Sequence, residues 1–253
     1  MTTDYDLITT EYQRSKLQPW RRYAEGSLLF DLAGDLSGKK VLDLACGEGF
    51  YTRMIRLRGA TRVVGVDLSA GMIDLARQQE ASQPTGIDYR NHDVCDLALD
   101  ETFDLVMAAY LLNYASLAGA LLAMCQSVAR HLRPGGRFVT VNNNPGYTGD
   151  GDTMRHYQFC RDKAGEYEGA PVDWRFFNDD GSFCTVTNYH LSIQTHEQAL
   201  SLAGMGNITW HDPLIQPEGL EALGPDYWKL LKKHKLLKIL VLISKNTKLN
   251  KGK

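Results

Sequence analysis

Three aspartates, Asp43, Asp67 and Asp93, each stand within or just after a short apolar run, in VLDLACGEGF, VVGVDLS and YRNHDV. Asp67 follows Gly47 by twenty residues. In a strand–helix–strand unit that spacing lets an acid accept from both hydroxyls of a ribose. Asp93, with Val94 beside it, suits an exocyclic amine on a flat ring. Between the first two acids lies Gly47-Glu48-Gly49. Its glycines permit positive φ and remove the Cβ that would hold a ligand away. The helix expected from Phe50 would bring free N–H groups and a positive dipole end to the same point. Thr52 stands where a dinucleotide fingerprint needs its third glycine, Glu48 would repel a pyrophosphate, and no G-K-[ST] follows. A strand-end aspartate alone is commonly a turn or cap residue. Three in successive connections of one sheet read as one binding site.

Such a site needs strands to carry it, and the first 140 or so residues alternate between strand-like and helix-like texture. Strands are expected in KKVLDLAC, TRVVGVDL, GIDYRNHD, ETFDLVMAAY and RPGGRFVTVN. Helices are expected in FYTRMIRLRGA, in SAGMIDLARQQEA with Ser69 as N-cap, and in ASLAGALLAMCQSVARHL. This alternation implies parallel strands covered on both faces. VDWRFFNDDGSFCTVTNYHLSI then reads as a hairpin about Asp180-Gly181. A helix and strand in THEQALSLAGMGNITWHD, helical structure in PEGLEALGPDYWKLLKKHK and a last strand in LLKILVLISK complete the α/β pattern. The expected organisation is a single domain over 1–253. It comprises a helical cap at 1–38, a ligand-binding core at 39–142, an inserted lid at 143–192 and the end of the sheet with a basic tail at 193–253.

The chain has 253 residues and a net charge of −2, with 43% hydrophobic residues, enough for a full core. Nine lysines and no acid follow Trp228, so the remainder is clearly acidic, which disfavours nucleic-acid binding by bulk charge. The lysine-rich end reads as a solvated helix and tail. Five cysteines without a C-x-x-C pair argue against a disulfide framework or zinc cage and for a reducing cytoplasm. The opening residues contain no signal-peptide core, and LLKILVLIS is too short to span a bilayer.

VLDLACGEGFYT, VVGVDLSAGMIDLAR, IDYRNHDV, FDLVMAAYLLNYA and LRPGGRFVTVNNNP occur in the order and spacing of the class I S-adenosylmethionine-dependent methyltransferases, and over residues 40–145 the chain resembles that family. The resemblance implies a Rossmann-like, seven-stranded sheet with helices on both faces and S-adenosyl-L-methionine as cofactor. It implies that Asp43, Ala45, Cys46 and Gly47 line the methionine part and Asp67 holds the ribose. Leu68 and Met72 would pack on the adenine, Asp93 and Val94 would read its edge, and Ala109 would offer backbone near the sulfonium. YLLNYA, NNNP and YDLITTEYQRSK…PWR look like a small-molecule N- or O-methyltransferase group from secondary metabolism, similar to the methyltransferases of azapteridine toxin biosynthesis. There the N-terminal helix closes over the cofactor, which would bring Tyr12 and Trp20 to it. The closing KKHKLLKILVLISKN departs from the usual last strand of such sequences.

Methyl transfer of this kind relies on in-line positioning and requires no dedicated nucleophile. Tyr110 is the candidate catalytic residue, its ring facing the sulfonium. Tyr114, Asn143 and Tyr189 are candidate substrate contacts, with Asn113, Asn142, Asn144 and His190 nearby. Tyr110 and Tyr114 equally suit helix-start core positions, and Asn143 suits a loop cap. His92 and His190 fit structural or solvated roles. The aromatic-rich insertion would roof a pocket for a flat ring or simply pack the hairpin. The expected substrate is a small, heteroaromatic metabolite; a peptide or protein acceptor and a non-catalytic cofactor-binding regulator are the alternatives. Monomer and homodimer both stay open.

Overall fold

The computed structural model describes residues 5, 14, 16–147, 149, 151–235 and 237–244. Ten strands fall in two sheets. In chain order they are β1 (Lys40–Leu44), β2 (Arg62–Asp67), β3 (Asp88–Asn91), β4 (Phe103–Ala109), β5 (Leu132–Asn143), β6 (Phe159–Lys163), β7 (Ala170–Phe177), β8 (Phe183–His190), β9 (Met205–His211) and β10 (Leu237–Ser244).

The larger sheet has the order β3-β2-β1-β4-β5-β10-β9. Its first five members run parallel, with Leu42 opposite Val64 on one side and Val106 on the other. β10 runs antiparallel to both β5 and β9. Val41, Leu42, Leu44, Val63, Val64 and Val66 are buried on both faces of the sheet, which explains why these strands read as continuous apolar runs. Strand order reverses between β1 and β4, the switch point at whose carboxyl ends open α/β sheets bind ligands. The expected Rossmann-like class I methyltransferase architecture is the one observed.

Each connecting helix begins where its sequence allows. Ser69 Oγ accepts the Met72 N–H at 3.1 Å and caps helix Ala70–Ser82. Gly49, at φ 84°, opens helix Phe50–Leu57 with a left-handed turn. Before β1, a π-helical turn Arg21–Gly26 runs into helix Ser27–Ala33, ended by Gly34 at φ 73°.

One expectation is corrected and another refined. The insertion is a three-stranded antiparallel sheet, β6-β7-β8, not a two-stranded hairpin. β6, with sequence FCRDK, hides its strand character among charges, and its register with β7 places Arg161 opposite Trp174. The segment after β9 is helical over Pro217–Tyr227 and Lys229–His234, and the first of these is itself broken at Gly224 (φ 73°), before Pro225. Proline cannot continue a helical hydrogen-bond ladder, so Gly-Pro marks the break. No helix of the described residues is long and apolar enough to cross a membrane.

Candidate active site

The carboxyl ends of β1, β2 and β4, with the loop after β3, surround a cleft of about 470 Å³. Asp43, Ala45, Cys46, Gly47, Asp67, Leu68, Met72, Asp93, Val94, Ala109, Tyr110 and Tyr114 all border it. Asp67 borders it at the carboxyl end of β2. One of its oxygens accepts the Gly47 N–H at 2.7 Å and the other the Ser69 N–H at 2.9 Å, which fixes the orientation of the carboxylate. Asp93 is held similarly by the Cys95 N–H at 2.8 Å. Leu68 is 66% exposed and Met72 only 2%, so the rim carries an apolar side chain that a flat ring would cover.

Asp43 lies deeper and accepts the Thr52 hydroxyl at 2.6 Å. Burial pushes its carboxyl up to about 7, against the Thr52 hydrogen bond and the charge of Lys16. Burial, then the charges of Asp67 and Asp43, push the Cys46 thiol up as well, so it is no thiolate nucleophile. Gly47 holds φ 55°, and a Cβ there would stand 3.1 Å from Lys16 Nζ. Glu48, buried inside the loop, pairs with Lys16 at 3.4 Å and Arg53 at 3.1 Å. Two cations therefore offset the acid that would otherwise sit isolated beside a ligand.

A second, narrow slot adjoins the cleft. Trp20, Phe159, Trp174 and Phe176 line it with Asn143 and Asn188, and it shares Arg21, Tyr110 and Tyr114 with the cleft. Trp20 therefore faces this slot and not the cleft to which the resemblance assigned it. Its indole N–H donates to Gln18 Oε1 at 2.7 Å, and its ring lies 5.5 Å from that of Phe159. Tyr12 lies outside the described residues. Asn143 borders the slot and donates to Asn188 Oδ1 at 2.8 Å. Tyr189 stands behind, in a third cavity, apart from the cleft and the slot.

At the junction of cleft and slot is a polar group that the sequence reading missed. Glu25 is fully buried and pairs with Arg21 at 3.3 Å. It accepts the Tyr51 hydroxyl at 2.5 Å and also the Tyr110 hydroxyl. The Arg21 guanidinium lies 4.5 Å from the Trp20 ring centre, 5.3 Å from Phe176 and 5.5 Å from Tyr110. Tyr110 itself adopts φ 65°, a left-handed conformation that costs a bulky residue energy and that recurs at functional sites. Burial, then the charge of Glu25, push its hydroxyl well above the usual phenol range, so it stays protonated. The available signal was an acid within AEGSLLF, an otherwise apolar helical stretch; its partners are distant in sequence.

This geometry defines a class I methyltransferase fold with a ligand cleft at its switch point. Residues 41–136 match the family model described as "Methyltransferase domain". Over those residues the chain is similar to a methyltransferase domain, in line with its class I S-adenosylmethionine-dependent methyltransferase fold. It is 34% identical to a ubiquinone biosynthesis O-methyltransferase of Pseudomonas syringae pv. tomato over 119 residues, 46% of this chain and 50% of that protein. It is 28% identical to the N-demethylindolmycin N-methyltransferase of Streptomyces griseus over 176 residues, 67% of this chain and 70% of that one. A crystal structure of an S-adenosylmethionine dependent methyltransferase from Mesorhizobium loti superposes with a TM-score of 0.62 at 23% identity, covering 86% of this chain and 96% of that one, and shows the shared fold. The chain spans about half the length of the ubiquinone-pathway O-methyltransferases it matches.

Proposed function

We propose that the protein is an enzyme that uses S-adenosyl-L-methionine to methylate N or O of a small, flat, heteroaromatic acceptor. The carrying observation is that Asp43, Asp67 and Asp93 border one cleft together with Gly47 and Ala109. The residues present suit the cofactor. Asp67 is the carboxylate placed to accept the ribose hydroxyls, Leu68 and Met72 supply apolar surface for an adenine, and Asp93 with Val94 supplies its edge contacts. Asp43, Cys46, Gly47 and Lys16 surround the end that suits a zwitterionic amino acid. When bound, the cofactor supplies an electrophilic methyl on a sulfonium.

The chain's own contribution is positioning and proton handling. The acceptor lies in the cleft beside Tyr110 and Tyr114, and the aromatic residues of the slot close the wall behind it. Tyr110 donates to Glu25, which leaves its oxygen free to receive the acceptor's proton while its own proton passes to the carboxylate. The insertion over residues 143–192 serves as the lid of this slot. The related O- and N-methyltransferases support a small-molecule acceptor, and five free cysteines fit a reducing cytoplasm.

Calorimetric titration with S-adenosylhomocysteine, followed by incubation of protein and cofactor with metabolite extracts, tests this reading. The expected result is micromolar or tighter binding and a product heavier than its precursor by one methylene. Absence of binding rejects the cofactor assignment, and binding without any methylated product would favour the regulator.

A further inference from the structure

The acids around the cleft differ in how their charge is compensated. Glu48 pairs with Lys16 and Arg53, Glu25 pairs with Arg21, and Asp67 accepts two backbone N–H groups. Asp43 is 2% exposed, has no ion pair among the described residues and accepts only the Thr52 hydroxyl, on Oδ2. Its other oxygen has no hydrogen-bond partner there, yet it is not among the unpartnered side-chain atoms sealed from solvent. Asp43 borders the cleft, so the cleft is where that oxygen is reached.

The groups facing Asp43 come from every element around it. Lys16, on the N-terminal segment, is a cation acting on it, but Glu48 already engages that lysine. Glu48 and Cys46 lie in the glycine loop, Asp67 at the end of β2 and Tyr89 on β3. Burial holds the Cys46 and Tyr89 protons in place, and β4 brings only Met107 opposite Asp43. Helix Phe50–Leu57 brings Thr52 and Arg53, whose guanidinium is paired with Glu48. Two like charges and one occupied cation leave burial to dominate, and a carboxyl so placed keeps its proton to about 7. The amino-acid end of the cofactor, assigned to this part of the cleft, carries an ammonium. That ammonium is the opposite charge Asp43 lacks, and only the ionised carboxylate pairs with it strongly.

We propose that Asp43 binds the cofactor's ammonium by exchange, releasing its own carboxyl proton to water as the ammonium takes that proton's place. One O–H bond breaks, a carboxylate–ammonium pair forms, and the ammonium keeps all its protons. Cofactor affinity is thereby linked to pH: in acid the free chain holds the proton that binding must expel, so affinity falls as pH drops below neutral. This proposal rests on the cofactor site described under the proposed function and adds its regulation by pH. No histidine is among the described residues that border the cleft, so no imidazole there competes for this role.

The test is calorimetric titration of S-adenosylhomocysteine into the full chain at about pH 6 and about pH 7.5, each in two buffers of different ionisation enthalpy. Together these give affinity and the number of protons released. With Asp43 at about 7, the wild type is expected to release about 0.9 proton at the lower pH and about 0.2 at the higher, and to bind about eightfold more weakly at the lower. Asp43→Asn is expected to release no proton and to bind equally at both pH values. Methylthioadenosine, which lacks the amino-acid end, is expected to bind the wild type without proton release. Release below about 0.3 proton at the lower pH, release that survives Asp43→Asn, or equal release with methylthioadenosine would overturn the proposal. If Asp43→Asn does not fold, the wild-type proton counts decide alone. Binding of S-adenosylhomocysteine without proton release rejects the exchange and leaves the cofactor reading standing; no binding at either pH rejects both.

Discussion

The cleft and the inserted sheet that faces it are built on different principles. The three aspartates of the cleft sit in or just after parallel strands, and backbone register sets the position of two of them: Asp43 lies opposite Gly65 and Met107, and Asp67 opposite Asn91. The insertion's three strands have a register of their own, but its slot depends on a second segment as well. Its slot is made by side chains packing against each other and against the N-terminal segment, with Phe159 touching the rings of Trp20, Trp174 and Phe176 at 5.5, 5.9 and 6.3 Å. A site fixed by backbone tolerates loss of a functional side chain without loss of fold. A site fixed by packing does not separate the two.

Truncating the insertion's central ring breaks the comparison most directly. Phe159 is fully buried, and Phe159→Ala should lower unfolding stability by about 3–5 kcal/mol through lost burial and the cavity left behind. Urea denaturation measures this. The molecules that stay folded should bind S-adenosylhomocysteine with wild-type affinity; a matching loss of affinity would show that the slot and the cleft form one cooperative unit.

On the cleft side the largest stability effect comes from Asp43. Its carboxyl is raised from 3.8 to about 7 by burial, so the folded chain holds this proton where the unfolded chain has released it. Between those values the folded state binds more protons. This contribution to stability is therefore complete at acid pH and is lost as pH rises toward neutral, by up to about 4 kcal/mol. Asp43→Asn should remove that slope, making the variant more stable than wild type at about pH 8 and nearly equal at about pH 4. Its amide oxygen still accepts the Thr52 hydroxyl. Denaturation at a series of pH values decides the matter, and parallel slopes for the two proteins would place the titration elsewhere.

Asp67→Ala sharpens the contrast from the side of function. The carboxylate holds the Gly47 and Ser69 N–H groups and is assigned the two ribose hydroxyls. Losing two charge-assisted hydrogen bonds to the ligand should weaken S-adenosylhomocysteine binding by at least about 100-fold while the chain stays folded. Unchanged calorimetric affinity would reject the ribose assignment.

The same division explains what the sequence made legible. Ser69 as a cap, the three aspartates and the parallel core are local statements: residue type, apolar run and spacing all lie within one strand–helix unit. Glu25 and Arg21 were invisible because their meaning comes from Tyr110, 85 positions after Glu25, and no periodicity records that contact. Trp20 was assigned to the cofactor for the same reason: the segment carrying it was legible, but not the cavity its indole turns toward. β6 escaped because Arg161, Asp162 and Lys163 mask a strand that exists only through pairing with β7. Tyr189 is expected as a substrate contact, yet the alternation of a strand puts it in the cavity behind the slot.

Tyr110 belongs to both regions, since it follows a core strand and walls the slot, and it gives the smallest and most discriminating effect. Tyr110→Phe keeps the ring on which Arg21 stacks and removes only the hydroxyl that Glu25 accepts. If the tyrosine relays the acceptor's proton, turnover should fall by about 10- to 100-fold, at or below the usual range for general acid–base groups. S-adenosylhomocysteine affinity should change by less than about threefold, because no assigned cofactor contact is lost. Glu25→Gln should reproduce the fall in turnover, since the carboxamide cannot take the proton onward. A structural tyrosine predicts the reverse split: unchanged kcat in the folded fraction with a lower melting temperature. Measuring kcat, affinity and melting temperature on both variants therefore separates a group that moves a proton from one that merely closes the wall between cleft and slot.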